Sequence, residues 1–250
     1  MIWDIVAKIY DAATNVTNGK ANRKVSEIVA EQIKTTDNVL ECACGTGLLT
    51  HRIYPLCQTI VATDFSSAML LQTKKKCSQA TNLRLEKADI TQLPYATGFF
   101  DKVIAGNVLH LLPDPKKAME EMKRVCRPGG EIIIPTYVKP ENKNLLTRSW
   151  MNLLKVVGVK FKNSFTFSTY QAFFRTLGYT EVRYLIVDGR PPCAIAFVKD
   201  SITAINDAVC STVSSPYFAL LSQSFWREMC RAFEACTNLA NAVSRRSAVR

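Results

Sequence analysis

Apolar residues in the central part of this chain form short continuous runs, and the segments between the runs carry apolar residues at helical spacing. A short apolar run indicates a buried strand, and a spacing of three or four residues indicates an amphipathic helix. Strands that alternate with helices predict a doubly wound α/β fold, with a mostly parallel sheet and helices on both faces. The predicted strands are NVLECA (38–43), TIVATD (59–64), LRLEKAD (83–89), FDKVIAGNV (100–108) and GEIIIPTYV (130–138), and the predicted helices cover 49–56, 66–78 and 116–125.

Two further strand patterns, EVRYLIVDG (181–189) and CAIAFVK (193–199), lie close together in the sequence. Parallel neighbours need a crossover of a dozen or more residues, and the short connection around 189–192 leaves no room for one. We therefore predict an antiparallel hairpin at the C-terminal end of the sheet.

The flanking segments differ from this alternating core. Residues 1–36 are predicted to be helical, and residues 37–200 form the α/β domain, within which 139–178 is a largely helical insertion. Residues 201–250 contain no lysine and carry two apolar helical stripes, so we predict a helical C-terminal extension of unknown role.

Composition narrows the class of protein. The chain has 250 residues, 48% of them hydrophobic, which is enough for one sizeable core. No apolar run reaches the roughly 18 residues of a membrane span, and the N-terminus lacks the pattern of a signal peptide. Nine cysteines without a Cys-x-x-Cys pair predict reduced thiols and a cytoplasmic location. Cys42 and Cys44 are more typical of buried side chains than of a metal site, so we predict no metal.

The formal net charge of +11 favours an anionic partner, such as a nucleic acid, an acidic lipid surface or an acidic small molecule. The most compact basic run, Lys74-Lys75-Lys76, is also typical of a solvated helix face. Nucleic-acid binding therefore stays open but is not favoured.

The first strand runs through a glycine-rich turn, ECACGTGLLT (41–50), into a helix. Such a turn usually holds a nucleotide-like ligand. The dinucleotide pattern G-x-G-x-x-G requires a third glycine where this chain has Thr50, and the Gly-Lys-Ser/Thr of a phosphate-binding loop does not occur in the sequence. Glu41, just before the turn, favours a ligand that carries an ammonium group.

Four segments in order resemble the motifs of the class I, Rossmann-like S-adenosylmethionine-dependent methyltransferases, in the type 11 branch that includes the ubiquinone and menaquinone methyltransferases. The resemblance covers about residues 37–138 and implies a seven-stranded sheet with an antiparallel seventh strand, and S-adenosyl-L-methionine as the cofactor. The segments are VLECACGTGLL (39–49), VATDFSSAML (61–70), EKADITQLPY (86–95) and FDKVIAGNVLHLLPDPKKAMEEMKRVCRPGG (100–130).

The resemblance gives cofactor-binding roles to residues of the first two motifs. Gly45 and Gly47 lack a Cβ atom, so the backbone can turn sharply and approach the ligand. Ala43 stands where the family often has glycine, and it is small enough for the same purpose. Glu41 is expected to hold the methionine ammonium group. Asp64, 19 positions after Gly45, is expected to accept hydrogen bonds from both ribose hydroxyls.

The later motifs supply the remaining candidates. Phe65 is expected to pack on the adenine, and Asp89 to accept from the adenine amino group with the Ile90 amide beside it. Asn107 is expected to face the methionine part of the cofactor. His110 is the candidate general base, because it follows Asn107 by one helical turn and histidine titrates near neutrality. The alternative for His110 is a packing role at the start of a helix.

The expected reaction is methyl transfer to a small-molecule or lipid-like acceptor by in-line displacement. Residues 1–36 would form a lid, and the insertion 139–178 would lie at the acceptor pocket, although its aromatic residues are more often core. Asn107-Val108-Leu109-His110 replaces the Asn/Asp-Pro-Pro-aromatic run of enzymes that methylate base amines. The alternatives are an RNA or protein methyltransferase, or a cofactor-binding but inactive partner protein. A homodimer stays open.

Overall fold

A computed structural model describes Asp4, Ala7 and residues 10–139 and 163–199, and it contains a sheet in the order β3-β2-β1-β4-β5-β7-β6. The first five strands run parallel, and β7 is antiparallel to both β5 and β6. This confirms the predicted seven-stranded, mostly parallel sheet with an antiparallel hairpin. The strands are β1 (Asn38–Cys42), β2 (Thr59–Asp64), β3 (Leu83–Lys87), β4 (Phe100–Ala105), β5 (Cys126–Tyr137), β6 (Val182–Val187) and β7 (Cys193–Lys199).

The helices begin where the sequence supplies capping residues. Ser66 accepts a hydrogen bond from the Met69 amide at 3.2 Å, and Asp114 accepts one from the Lys117 amide at 3.0 Å. The helices are α1 (Tyr10–Ala30), α2 (Thr50–Ile53), α3 (Ser67–Lys76), α4 (Pro115–Val125) and α5 (Phe167–Thr176), and short 3-10 turns cover Tyr54–Leu56 and Leu109–Leu111. Lys74 and Lys75 in the last turn of α3 are exposed, which agrees with the solvated helix face.

Apolar residues on successive positions of β1 belong to different layers of the core. Leu40 packs in a cluster with α4 and α5, whereas Val39 packs in a cluster with α1 and α2. Side chains of neighbouring strand residues point to opposite faces, so a parallel sheet covered by helices on both faces needs an apolar residue at each position. The continuous apolar runs in the sequence follow from this requirement.

The flanking segments contribute to the same core. α1 packs on the sheet through Ala21, Val25 and Val29, after a non-helical residue at Asn18. Phe165 and Tyr170 of the predicted insertion are buried, and the Tyr170 hydroxyl donates to the carbonyl oxygen of Ile134 at 2.7 Å. These two aromatic side chains are therefore core residues.

Some predictions fall on other parts of the chain. Residues 140–162 of the insertion and the extension 201–250 lie outside the described residues. Within the described ranges, no helix is both long enough and apolar enough to cross a membrane.

The position of β1 determines where a ligand can bind. β2 and β3 lie on one side of β1, and β4 lies on the other side, so the order of strands reverses at this point. Open α/β sheets bind ligands outside the carboxyl ends of their strands at such a switch point. The glycine turn after β1 lies at this edge.

Candidate cofactor-binding site

The turn after β1 contains three residues with positive φ, namely Ala43 (52°), Gly45 (57°) and Gly47 (79°). This left-handed region is readily accessible only to glycine, so Ala43 is held there by its surroundings. The Cys44 amide donates to the carbonyl oxygen of Thr63 at 2.8 Å, which joins the turn to the end of β2. Cys44 itself is buried, as expected.

The two glycines of the turn face different surroundings. A Cβ atom on Gly47 would lie 2.8 Å from Cγ2 of Thr73, so Gly47 allows α3 to pack against the turn. Among the described residues, nothing lies within 4 Å of the position that a Cβ atom on Gly45 would take. The backbone at Gly45 is therefore open on the side where that Cβ would project, and a ligand can approach it closely from there.

The carboxylate of Asp64 is fixed against this open backbone. Its Oδ2 accepts a hydrogen bond from the Gly45 amide at 2.9 Å, and its Oδ1 accepts one from the Ser66 amide at 2.8 Å. Burial raises the pKa of Asp64, and the hydrogen bonds from these amides oppose that effect. Each carboxylate oxygen can accept more than one hydrogen bond, so the group retains acceptor capacity for ligand hydroxyls.

Glu41 lies beneath the turn and is almost fully buried. The Thr50 hydroxyl, at the start of α2, donates to Oε2 of Glu41 at 2.6 Å. Burial raises the pKa of Glu41 to about 8, the negative charge of Asp64 adds to the shift, and the Thr50 hydrogen bond opposes it. A nearby cation would favour the ionised form of this carboxyl group.

Phe65 and Asp89 follow two adjacent parallel strands, because Asp64 of β2 pairs with Lys87 of β3. The Phe65 side chain is 54% exposed, and Nζ of Lys87 lies 5.8 Å from its ring centroid. Oδ1 of Asp89 accepts hydrogen bonds from both the amide and the hydroxyl of Thr91 at 2.8 Å. Ile90 beside it is buried. The ring of Phe65 is thus accessible at this edge, whereas the Ile90 side chain packs inward.

Asn107 lies two residues beyond the end of β4 and has a φ of 53°. Its side-chain oxygen accepts a hydrogen bond from the Tyr137 amide at 3.0 Å, and its own amide donates to the carbonyl oxygen of Pro135 at 2.7 Å. The side-chain oxygen of Asn107 therefore joins the ends of β4 and β5, a role that the sequence did not indicate.

His110 is buried in the 3-10 turn Leu109–Leu111. Burial lowers the pKa of its imidazole to about 4, so the ring is neutral at neutral pH. Its carbonyl oxygen accepts a hydrogen bond from the Asn163 amide at 3.0 Å, and its ring centroid lies 6.5 Å from that of Tyr137. The environment of His110 thus provides an uncharged imidazole that is a weak base.

Tyr137 and Asn22, which sequence reasoning missed, lie beside Asn107 and His110 at this edge of the sheet. The Tyr137 hydroxyl, at the end of β5, donates to Oδ1 of Asn22 on α1 at 2.6 Å. Asn22 and Ser26 are buried one helical turn apart on α1, and Asn18, at the non-helical residue before them, is buried as well. Polar residues on the buried face of a helix are unusual, and this pattern in the sequence could have indicated a role for Asn22.

The residues around the glycine turn and the residues at the ends of β4 and β5 approach each other at Leu49, just after the turn. A Cβ atom on Gly106, at the end of β4, would lie 2.9 Å from Cδ1 of Leu49. Glu41, Gly45, Gly47 and Asp64 form one cluster around the turn, and Asn107 and His110 lie next to it with Tyr137.

Comparison with known proteins matches residues 40–134 to the methyltransferase domain family. Residues 40–134 therefore form a methyltransferase domain. The methyltransferase domain is similar to the demethylmenaquinone methyltransferase of Paenarthrobacter aurescens, with 32% identity over 164 residues, 64% of each chain. It is also similar to the ubiquinone/menaquinone biosynthesis C-methyltransferase of Bdellovibrio bacteriovorus, with 34% identity over 134 residues, 52% of this chain and 57% of that protein.

The chain thus spans less than two thirds of the length of these curated relatives. A solved structure of a SAM-dependent methyltransferase from Aquifex aeolicus superposes with a TM-score of 0.54 and 18% identity, covering 69% of this chain and 88% of that one. This similarity supports the fold of the methyltransferase domain.

Proposed function

We propose that this protein is an enzyme that transfers a methyl group from S-adenosyl-L-methionine to a small-molecule or lipid-like acceptor. The observation that carries the proposal is the carboxylate of Asp64, held by the amides of Gly45 and Ser66 beside the open backbone of Gly45. An oriented carboxylate next to an accessible glycine turn is suited to a ribose with two adjacent hydroxyls.

The residues around Asp64 fit the rest of the cofactor. Glu41 supplies a carboxyl group below the turn, and a ligand ammonium group would favour its ionised form. Phe65 supplies an accessible aromatic face for the adenine, and Asp89 supplies an acceptor near the end of β3. We assign Ala43, Gly47, Ile90 and Asn107 to the shape of the same site.

S-adenosylmethionine supplies a sulfonium methyl that is already activated for displacement. The work of the protein is to align the nucleophile with the methyl–sulfur bond and to exclude competing orientations. His110 is neutral and therefore able to accept a hydrogen bond or a proton, but a pKa of about 4 makes it a weak base. This suits a nucleophile that needs little help to lose its proton.

The curated relatives favour a particular acceptor class for the first experiments. Two of them are named for methylation steps of menaquinone or ubiquinone biosynthesis, so quinone-like lipids are the first acceptors to test. We further propose that residues 1–36 form a lid over the site and that the insertion 139–178 borders the acceptor with residues other than the core residues Phe165 and Tyr170. The net charge of +11 is the observation that keeps RNA as a second candidate acceptor.

Two measurements test the proposal. Calorimetry with S-adenosylmethionine and S-adenosylhomocysteine is expected to show binding of both, and absence of binding would overturn the cofactor assignment. Transfer of labelled methyl groups into cell extract, followed by separate nuclease, protease and organic-solvent treatments, is expected to leave the label in the organic phase. Label lost with nuclease or protease would indicate RNA or protein, and binding without transfer would indicate an inactive partner protein.

A further inference from the structure

We propose that Tyr137 positions the methyl acceptor: Asn22 holds the hydroxyl proton of Tyr137, and the phenol oxygen accepts a hydrogen bond from an O–H or N–H group of the acceptor. This inference rests on the proposed function of the site and specifies how its acceptor side works.

Tyr137 lies at the correct edge of the sheet for this role. It ends β5, and its amide donates to the side-chain oxygen of Asn107, which follows β4. Its ring lies 6.5 Å from the ring of His110. The end of β4 in turn approaches Leu49 of the cofactor-binding turn, so Tyr137 is separated from that turn by a single strand end.

The hydrogen bond to Asn22 fixes what the phenol oxygen can do. A phenol has one proton and can also accept hydrogen bonds. At 2.6 Å the proton of Tyr137 is committed to Oδ1 of Asn22, and so the oxygen can interact with any further partner only as an acceptor. An acceptor molecule that carries a hydroxyl or amine hydrogen complements this oxygen, whereas a fully alkylated one does not.

Asn22 itself is held rigidly. Four residues earlier, at the non-helical residue within α1, Asn18 donates from Nδ2 to the carbonyl oxygen of Pro191 at 2.9 Å and accepts at Oδ1 from the Arg190 amide at 2.9 Å. These two bonds anchor α1 to the β6–β7 turn. Ala21 and Val25, on either side of Asn22, pack in the core, so the oxygen of Asn22 is presented to Tyr137 by a helix that is anchored on the sheet.

Stability alone does not require this pair. A buried hydrogen-bonded pair contributes little net stability compared with apolar side chains of the same shape, although removing one partner is costly. A helix that packs on a sheet through Ala21, Val25 and Val29 needs no asparagine between them for packing. Orientation of the Tyr137 hydroxyl at the carboxyl edge of the sheet is a functional reason for this pair.

The test compares two tyrosines that lose the same group. Tyr137→Phe removes the hydroxyl but keeps the ring and the backbone bond to Asn107. Tyr170→Phe is the matched control, because its hydroxyl also donates a 2.7 Å hydrogen bond, to the buried carbonyl oxygen of Ile134. Each purified variant is assayed for S-adenosylhomocysteine affinity by calorimetry and for labelled methyl transfer into the extract fraction that the wild type labels.

We expect Tyr137→Phe to lower kcat/KM for transfer about tenfold, the effect of losing one hydrogen bond to a neutral group, with unchanged affinity for S-adenosylhomocysteine. Tyr170→Phe should keep the wild-type kcat/KM even if it lowers the melting temperature. Asn22→Leu should lower transfer as well, and the double variant should be no worse than Tyr137→Phe, because both changes act on one hydrogen bond.

The outcomes separate this inference from the proposed function. Wild-type transfer rates in Tyr137→Phe, or equal losses in Tyr137→Phe and Tyr170→Phe, would overturn the role of Tyr137 while the methyltransferase assignment stands. A wild-type protein that binds no cofactor, or that transfers no methyl group, would overturn the proposed function and this inference with it.

Discussion

The carboxyl edge of the sheet has two halves that are built in different ways. The half that we propose to bind the cofactor, the cofactor half, consists of the turn after β1 and the ends of β2 and β3. Its hydrogen bonds join residues such as Asp64 and Gly45, which are 19 positions apart. The half that we propose to bind the acceptor, the acceptor half, consists of the ends of β4 and β5 with α1. The bond between Asn22 and Tyr137 in this half joins residues 115 positions apart. Short-range contacts leave a recognisable pattern in a sequence, and long-range contacts do not.

The halves also differ in charge. The cofactor half contains two carboxyl groups, Glu41 and Asp64. Burial raises the pKa of both groups because it disfavours their ionised forms. The polar groups of the acceptor half are neutral, since burial lowers the pKa of His110 and Tyr137 is paired with an amide. The first half is suited to a cationic, hydroxyl-bearing ligand, and the second to an uncharged one.

The largest effect is expected for a substitution that disrupts the cofactor half and leaves the acceptor half intact. Asp64→Ala should lower the affinity for S-adenosylmethionine about a hundredfold or more, because it removes a charged acceptor whose hydrogen bonds contribute about 1.5–3 kcal/mol each. Calorimetric titration with S-adenosylmethionine measures this change.

Asp101→Ala is the matched control for that experiment. Asp101 accepts a hydrogen bond from the Asn38 amide at 2.7 Å and pairs with Arg127 at 2.7 Å, which gives it a structural role near the start of β4. The control should lose stability but keep cofactor affinity. Equal losses of affinity in both variants would show that Asp64 acts only through folding.

The contact between the glycine turn and Asp64 was predictable from sequence, and the contact between Tyr137 and Asn22 was not. A turn with positive φ favours glycine at positions 45 and 47, and Asp64 ends the neighbouring strand. These local requirements place the residues within one short segment of the sequence. Tyr137 gains its role only from Asn22, and no local pattern links the end of a strand to a helix more than a hundred residues earlier.

The fold was predictable for a related reason. Continuous apolar runs follow from burial of β1, β2, β4 and β5 on both faces, and the short 189–192 connection leaves only an antiparallel hairpin. Asn107 makes a contact that the sequence did not indicate, because its side-chain oxygen is bonded to the backbone of β5, and its predicted contact with the cofactor stays a prediction.

A second prediction sharpens the division within the cofactor half. Gly47→Ala should cost about 3 kcal/mol of unfolding free energy, because positive φ costs about 1–2 kcal/mol and the new Cβ would lie 2.8 Å from Thr73. Gly45→Ala should cost only about 1–2 kcal/mol, the φ cost alone, but should weaken cofactor binding. Urea unfolding and calorimetry separate the two effects. Equal stability losses would contradict the different surroundings of the two glycines.

The third prediction uses pH to distinguish the halves. Glu41 has an ordinary pKa of 4.5 in the unfolded chain and about 8 in the fold, so the folded state keeps a proton that the unfolded chain has lost. Its contribution to the unfolding free energy therefore falls as pH rises from about 4.5 to 8, by about 1.4 kcal/mol per pH unit at most. His110 acts in the opposite sense. Its pKa falls from 6.5 to about 4, so its contribution rises with pH between those values.

Variants that remove each titration test these signs. Subtracting the unfolding free energy of Glu41→Gln from that of the wild type should give a difference that falls with pH up to about 8. The same subtraction with His110→Leu should give a difference that rises between about pH 4 and 6.5 and is then flat. Urea unfolding across this pH range provides both curves, and slopes of the same sign would refute the assigned environments.

The smallest expected effect concerns Ala43, the residue of the turn that departs from glycine. At a φ of 52° its Cβ costs about 1–2 kcal/mol, and replacing it with glycine removes this cost but frees the unfolded backbone by about 0.4–1 kcal/mol. Ala43→Gly should therefore stabilise the protein by about 0.5 kcal/mol in urea unfolding. Ala88→Gly, at a half-buried position without positive φ, should destabilise it by a similar amount. If Ala43→Gly and Ala88→Gly destabilise the protein equally, the turn after β1 holds Ala43 without strain. The packing of α3 on Gly47 would then account for the backbone geometry of the turn.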